Sequence, residues 1–210
     1  MGTVDTALIT LYDCDNDGAG IPANAQAVAG YGDGGNYATL VARFPHAHHL
    51  LIATHPSVDG DCLDVERGDS APADVPGWVH RQAARGVHRP VIYGSVATYM
   101  PAVLAELHAA KIPLASVRLW VAHWGAPPVV PAGFDAIQYR QNGFAFDESV
   151  CLPDFFSPAP PIYPTLTGLQ KASLDEAITD LGTVIAWKGQ LDKKTFDTLR
   201  AAQARVAAVK

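Results

Sequence analysis

Short continuous apolar runs alternate with amphipathic stretches along the first 152 residues of the chain. The runs are rich in Val, Ile, Leu and aromatic residues, a pattern typical of strands that are buried on both faces. They predict eight strands, at 7–13, 25–31, 49–55, 62–66, 90–94, 117–124, 134–139 and 144–147. Apolar residues at helical spacing predict helices at 36–43, 75–85 and 96–110.

The order of these elements predicts an α/β fold. Helices fall between strands in the early part of the chain, whereas loops alone separate the strands after residue 124. Alternating strands and helices favour a barrel of parallel strands with helices around it. We therefore expect a compact β/α barrel in which some of the helices are trimmed.

The chain changes character twice after the barrel, which predicts three regions. Residues 1–152 form the barrel, and the Pro-rich stretch 153–164 is interpreted as a stiff linker or an arm lying on the domain. Residues 165–210 carry a capping box, Ser173 to Glu176, and two narrow apolar stripes at helical spacing. Two such helices cannot bury their stripes alone, so we expect this tail to dock on a protein partner or to self-associate. The alternative is that both helices pack back on the barrel.

Composition excludes several classes of protein. Hydrophobic residues make up 49% of the 210 residues, enough for a core, and 15 basic against 21 acidic residues give a net charge of −6. That balance argues against a nucleic-acid or anionic-membrane partner. No apolar run is long enough for a membrane span, and no signal peptide is visible, so synthesis in the cytoplasm is expected. The cysteines, Cys14, Cys62 and Cys151, are expected to be unpaired buried thiols.

The sequence Asp64-Val65-Glu66 offers the sharpest candidate chemistry. Residues two apart in a strand point the same way and are about 6.6 Å apart along it. At the carboxyl end of a barrel strand, both carboxylates would point into the mouth, where barrel enzymes hold their catalytic groups. Glycoside hydrolysis needs such a pair, one as a protonated acid and one as an anion. A solvated acidic turn is the plain alternative.

Other strand ends carry polar and aromatic residues. Asp13 closes the first predicted strand and Asp147 the last. Aromatic and amide side chains near the remaining strand ends could face a sugar, or could be core packing. They are Tyr93, Trp120, Trp124, Gln138 and Tyr139.

Five short motifs on consecutive predicted strands resemble the glycoside hydrolase family 25 lysozymes and their actinobacterial and phage relatives: DVE, VIYG, LWVAHW, IQY and FDES. The resemblance covers roughly residues 5–152. It implies a (β/α)5β3 barrel that cleaves the β-1,4 link between muramic acid and glucosamine in peptidoglycan, with retention of configuration. It implies no cofactor and no metal. The partner would be the bacterial cell-wall glycan, with the protein acting at the cell wall or in a phage particle.

The resemblance also implies a role for each matched residue. Glu66 would be the general acid/base, and Asp64 the nucleophile or the group that steadies an acetamide-derived intermediate. Asp13 and Asp147 would flank them, with Trp120, Gln138 and Tyr139 lining the sugar groove. The family's D-x-N ending is Asp147-Glu148-Ser149 here. This departure favours an alternative function, a catalytically silent virion or cell-surface protein on the same barrel.

Three further patterns suggest ligands and have plainer explanations. Asp13, Asp15 and Asp17 match the start of a calcium loop, but no entering helix precedes them and the twelfth position is Asn24. The stretch 30–35 has the glycine spacing of a dinucleotide site, although the next strand ends in His55 rather than an acid. His46, His48 and His49 cluster without a matching second group, so surface histidines are the expected reading.

Overall fold

The structure, a computed structural model, describes residues 7–143 and 145–157. The strands are β1 Ile9–Asp13, β2 Ala27–Tyr31, β3 His48–Ala53, β4 Cys62–Asp64, β5 Val91–Ser95, β6 Arg118–Ala122, β7 Ala136–Asn142 and β8 Phe146–Cys151. The helices are α1 Tyr37–Arg43, α2 Val75–Ala84 and α3 Met100–Ala109, with 3-10 turns at Pro72–Asp74 and Leu114–Ser116. Each expected strand and helix has a counterpart, with shifted boundaries. None of the described helices is long and apolar enough to cross a membrane.

The eight strands close into a barrel in chain order. Strands β1 to β7 are parallel, and β8 runs antiparallel between β7 and β1. The reversal follows from chain length, because only residues 143–145 separate β7 from β8 and so short a link can join only antiparallel strands. The α/β class is thus confirmed as a closed, mixed, eight-stranded barrel with a few helices.

Alternate residues of the strands face two different layers. One buried cluster contains residues from all eight strands and fills the barrel interior, among them Leu11, Ala29 and Trp120. A second cluster joins the opposite strand faces to the helices, with Trp78 of α2 and Leu107 of α3 fully buried. This period of two explains why the strands read as continuous apolar runs, since both faces are covered.

The cysteines lie in this packing as free thiols. Cys62 and Cys151 are in the barrel interior, and Cys14 lies in a third cluster with Leu40 and Phe44. The prediction of unpaired buried thiols is therefore confirmed. Burial raises the pKa of the Cys62 and Cys151 thiols well above its usual range, which keeps them in the neutral form.

The amino-terminal end of the barrel is closed by the start of the Pro-rich segment. Phe155 is 2% exposed and belongs to the interior cluster. The Arg118 guanidinium lies over its ring, 5.9 Å from the centroid, and donates to the Asp154 carbonyl oxygen at 3.2 Å. Arg89 pairs with Asp135 at 2.6 Å. Residues 153–157 therefore pack on the barrel, whereas 158–164 of the predicted linker and the whole predicted tail 165–210 lie outside the described residues.

The glycine-rich stretch after β2 is shaped by close packing within the chain. A Cβ atom on Gly30 would lie 2.7 Å from Leu40 Cδ1 and 2.8 Å from Asn36 Oδ1. Asn36 in turn accepts a hydrogen bond from the Tyr31 amide at 3.0 Å and donates to the Cys14 carbonyl oxygen at 2.8 Å. The spacing that resembles a dinucleotide motif is thus accounted for by the approach of α1 to β2.

Candidate active site

Four carboxyl groups meet at the carboxyl end of the parallel strands. Asp13 is the last residue of β1 and Asp64 the last of β4. Glu66 lies two residues beyond β4, which corrects the expected strand 62–66. Asp147 is the second residue of β8 instead of the last residue of the predicted strand, and it reaches the same end because β8 is antiparallel and pairs Asp147 with Asp13. This is the end at which barrel folds carry their chemistry.

Gln138 of β7 joins two of these carboxyls. Its side chain is 2% exposed, and its Nε2 donates to Asp13 Oδ2 at 3.0 Å and Oδ1 at 3.2 Å, and to Asp147 Oδ2 at 3.3 Å. Its Oε1 accepts a hydrogen bond from the Tyr93 hydroxyl at 2.5 Å. Both ends of the amide are therefore satisfied, and Gln138 forms part of the floor of the mouth.

The aromatic residues expected to face a sugar lie in three different surroundings. Trp120 is 1% exposed inside the barrel, stacks at a tilt on Tyr93 with centroids 4.6 Å apart, and donates to Ser149 Oγ at 3.1 Å. Tyr139 packs with the outer cluster and its hydroxyl donates to Glu148. Trp124 follows the end of β6 and is 52% exposed. Of these aromatic residues, Trp124 alone offers a large open ring face at this end.

Burial raises the pKa of every carboxyl in the cluster, and repulsion by neighbouring carboxylates adds to it. Burial raises the pKa of Asp64 to about 8, with Glu66 as its strongest charged neighbour. Burial and Asp147 raise the pKa of Asp13 to about 7, against the Gln138 hydrogen bond, and burial raises that of Asp147 to about 6. Burial and Asp69 also raise the pKa of Glu66, whereas the Tyr93 hydroxyl lowers it. Asp13 and Asp64 therefore retain protons near neutral pH.

One fully buried oxygen of the cluster has no hydrogen-bond partner among the described residues. Asp64 is 5% exposed, and its Oδ1 is buried and unpaired there. A buried carboxyl oxygen without a partner is costly, so this atom is suited to accept a hydrogen bond from a bound molecule. The arrangement can therefore supply a proton from a carboxyl and stabilise positive charge or an N–H group beside it.

The structure adds two residues that the sequence reasoning did not single out. Tyr31 ends β2 inside the barrel, and its pKa is raised by burial and by Asp13 and Asp64. Like Tyr93, it is an aromatic residue of a predicted strand, so the same search for aromatic residues near strand ends could have found it. Asp69 lies in the loop after β4 and raises the pKa of both Asp64 and Glu66. No spacing rule marks a loop residue of this kind.

The acidic residues of the calcium-like pattern and the clustered histidines have separate contacts in the structure. Asp13 points into the barrel, whereas Asp17 lies 3.9 Å from Arg43 and accepts from the Ala19 amide. His49 contacts the Phe44 carbonyl oxygen through Nε2 at 2.9 Å. Within residues 7–143 and 145–157, no group of three or more His, Cys, Asp or Glu side chains is arranged to hold a metal ion.

The chain matches no family model and no curated protein. It is similar to one solved structure, the crystal structure of an uncharacterized B. stearothermophilus protein. The two agree with a TM-score of 0.50 and 12% identity, over 68% of this chain and 95% of the other. At this identity the similarity shows a shared fold alone. The fold and the carboxyl cluster together define a closed mixed α/β barrel with an acidic mouth.

Proposed function

We propose that this protein is a glycosidase of the lysozyme type that cleaves β-1,4-linked amino-sugar glycan of the bacterial cell wall. The observation that carries the proposal is the group of four carboxyls, each with a raised pKa, that meet at the carboxyl end of the barrel. A glycosidic bond breaks when one carboxyl protonates the leaving oxygen while another stabilises the positive charge that develops on the sugar. The proposal includes a (β/α)5β3 architecture for the barrel, with some of its helices trimmed.

Exposure and position suggest a division of roles between Glu66 and Asp64. Glu66 is half-buried on the loop and can reach a bond lying across the mouth, so it acts as the general acid/base. Asp64 is deeper, and its unpaired Oδ1 faces the charge that forms on the sugar or the N–H of an acetamido group. Its high pKa keeps Asp64 protonated until such a partner arrives, which suits stabilisation of an acetamide-derived intermediate better than a permanently charged nucleophile.

Two features suit a glycan as the ligand. Trp124 presents an exposed ring at the rim of the mouth, and aromatic faces pack against the apolar faces of sugars. The floor beneath is polar and is formed by Gln138, Tyr93 and Asp13, which bond to one another. When a sugar hydroxyl displaces one of these internal hydrogen bonds, the freed side chain can bond to the sugar instead. The site of action is then the cell wall, reached from the host cell or from a phage particle.

A second candidate function is a catalytically silent, glycan-binding or structural barrel. The observation in its favour is that Asp13 and Asp147, half of the carboxyl cluster, are engaged by Gln138. Because these hydrogen bonds stabilise the fold, they would persist in a protein that no longer catalyses a reaction. Binding would then depend on Trp124 and the acidic rim, without cleavage.

Clearing of purified peptidoglycan, together with release of reducing ends, separates the two candidates. We expect the wild-type protein to clear the suspension, and Glu66→Gln to lose about 10²- to 10⁴-fold in rate, because the amide cannot donate a proton. Glu148→Gln is the matched control, since Glu148 is half-buried on the outer face of β8 and bonds to Tyr139 and Arg140. A wild type that binds several wall types and cleaves none would instead establish the silent barrel.

A further inference from the structure

Glu66 lies in a short loop that turns back on itself immediately after β4. The Asp69 amide donates to the Glu66 carbonyl oxygen at 3.2 Å, which closes a four-residue turn. Gly68, the third residue of this turn, has a φ of 101°, in the left-handed region that glycine adopts without strain. The Ser70 amide donates to the Asp64 carbonyl oxygen at 3.2 Å and closes the base of the loop. The position of Glu66 therefore depends on how this loop, from Asp64 to Ser70, is held.

Ser70 also joins the base of the loop to the neighbouring strand. It is 1% exposed, and its hydroxyl donates at 2.9 Å to the carbonyl oxygen of Thr54, the residue that follows β3. The next residue, Ala71, is fixed as well, because its amide donates to Asp74 Oδ2 at 2.9 Å. One buried residue thus attaches the loop to two strands, through its amide to the end of β4 and through its hydroxyl to the end of β3.

Thr54 is held in turn by a residue of the loop after β2. Asp33 Oδ2 accepts a hydrogen bond from Thr54 Oγ1 at 2.7 Å and another from the Thr54 amide at 3.2 Å. Three hydrogen-bonded residues, Asp33, Thr54 and Ser70, therefore link the loops that follow β2, β3 and β4 at the carboxyl end of the barrel.

The burial of Ser70 prevents it from touching a ligand, so any effect on a reaction must pass through the loop that it anchors. A general acid has to lie within about 2.6 to 3.2 Å of the atom that it protonates, and a misplacement of about 1 Å can cost about 10²-fold in rate. We propose that Ser70 is a positioning residue: by attaching the loop to β3 through its hydroxyl, it fixes the place of Glu66 at the mouth. This role rests on the proposed function, in which Glu66 is the general acid/base.

Steady-state kinetics on soluble peptidoglycan fragments tests this role in the full chain. In Ser70→Ala, the Thr54 carbonyl oxygen loses the hydroxyl that donates to it. We expect kcat to fall about 10-fold while KM changes by less than about 2-fold, because Glu66 is displaced and no group that contacts the ligand is removed. Ser70→Thr keeps a hydroxyl and should restore most of the wild-type kcat.

Two further variants separate the loop from general effects of losing a hydrogen bond. Ser116→Ala is the matched control, since the Ser116 hydroxyl also donates to a main-chain carbonyl oxygen, that of Pro113 at 2.6 Å, at the opposite end of the barrel. We expect it to leave kcat unchanged. Asp33→Ala releases Thr54 without altering a buried residue, so it tests the role even where Ser70→Ala fails to fold. We expect it to lower kcat by about 2- to 5-fold.

Amide hydrogen exchange follows the loop itself, whether or not glycan is cleaved. The Asp69 amide reports on the turn, because its acceptor is the Glu66 carbonyl oxygen. Relative to the amides of β7, we expect it to exchange about 3- to 10-fold faster in Ser70→Ala. The wild-type rate should persist in Ser70→Thr and in Ser116→Ala.

These results distinguish the role of Ser70 from the proposed function. An unchanged kcat in both Ser70→Ala and Asp33→Ala would overturn the role, as would an equal fall in Ser116→Ala or a loss carried entirely by KM. If the wild-type protein cleaves no glycan, the proposed function fails. The exchange rate of the Asp69 amide then decides whether Ser70 holds Glu66 in place, and an unchanged rate in Ser70→Ala would overturn it.

Discussion

Replacing Asp64 by Asn should change how the stability of the protein depends on pH. Asp64 is 5% exposed and its pKa is raised from 3.8 to about 8 in the fold, mainly by burial. In the unfolded chain the carboxyl returns to its ordinary value. Between these two values the folded state binds more protons than the unfolded state, so the free energy of unfolding falls as pH rises.

The magnitude follows from the difference between the two pKa values. Each pH unit between them corresponds to about 1.4 kcal/mol, so the interval from 3.8 to about 8 amounts to on the order of 6 kcal/mol at this one residue. Asn is neutral at every pH and has nearly the shape of a protonated Asp. We expect Asp64→Asn to match the wild type at pH 4 and to exceed it by about 2 to 5 kcal/mol at pH 9.

Urea unfolding at intervals between pH 4 and pH 9 measures this difference. Asp59→Asn is the control of opposite sign, because hydrogen bonds from Arg81 and Gln82 lower the pKa of the exposed Asp59. That variant should lose stability above the ordinary Asp pKa and gain none at high pH. A constant offset between Asp64→Asn and the wild type across the whole range would refute the assignment of a buried, proton-holding carboxyl to this position.

Packing and end closure give two further predictions. Gly30→Ala should lower the unfolding free energy by about 1 to 3 kcal/mol, because its Cβ would lie 2.7 Å from Leu40 Cδ1. In the same urea assay, Gly77→Ala in α2 meets nothing within 4 Å and should be neutral or stabilising. Phe155→Ala should cost about 3 to 5 kcal/mol by opening the barrel end, whereas a chain ending at Ser157 should keep the cooperative unfolding of the barrel. A truncated chain without cooperative unfolding would mean that the barrel depends on later residues.

The strands and helices could be predicted from the sequence because each has a local periodicity of apolar residues. Strands covered on both faces appear as apolar runs, and α2 was predicted at 75–85 and is found at Val75–Ala84. Boundaries were less accessible, because a strand ends where its neighbours stop pairing with it. Strand β4 pairs with β5 as far as Asp64, and the Val65 amide still donates to the Tyr93 carbonyl oxygen at 3.0 Å, so the chain leaves the sheet only at Glu66.

The sequence by itself determined the count and order of the strands, the α/β class, and the placing of Asp13 and Asp64 at strand ends. Tertiary structure alone decided the rest of the site. The antiparallel pairing of β8 brings Asp147 beside Asp13, and barrel closure brings Gln138 onto both. Closure also buries Trp120 within the interior cluster, which contains residues from all eight strands. The physical reason is that periodicity reports which face of a strand is apolar, whereas hydrogen-bond partners and exposure depend on strands distant in the chain.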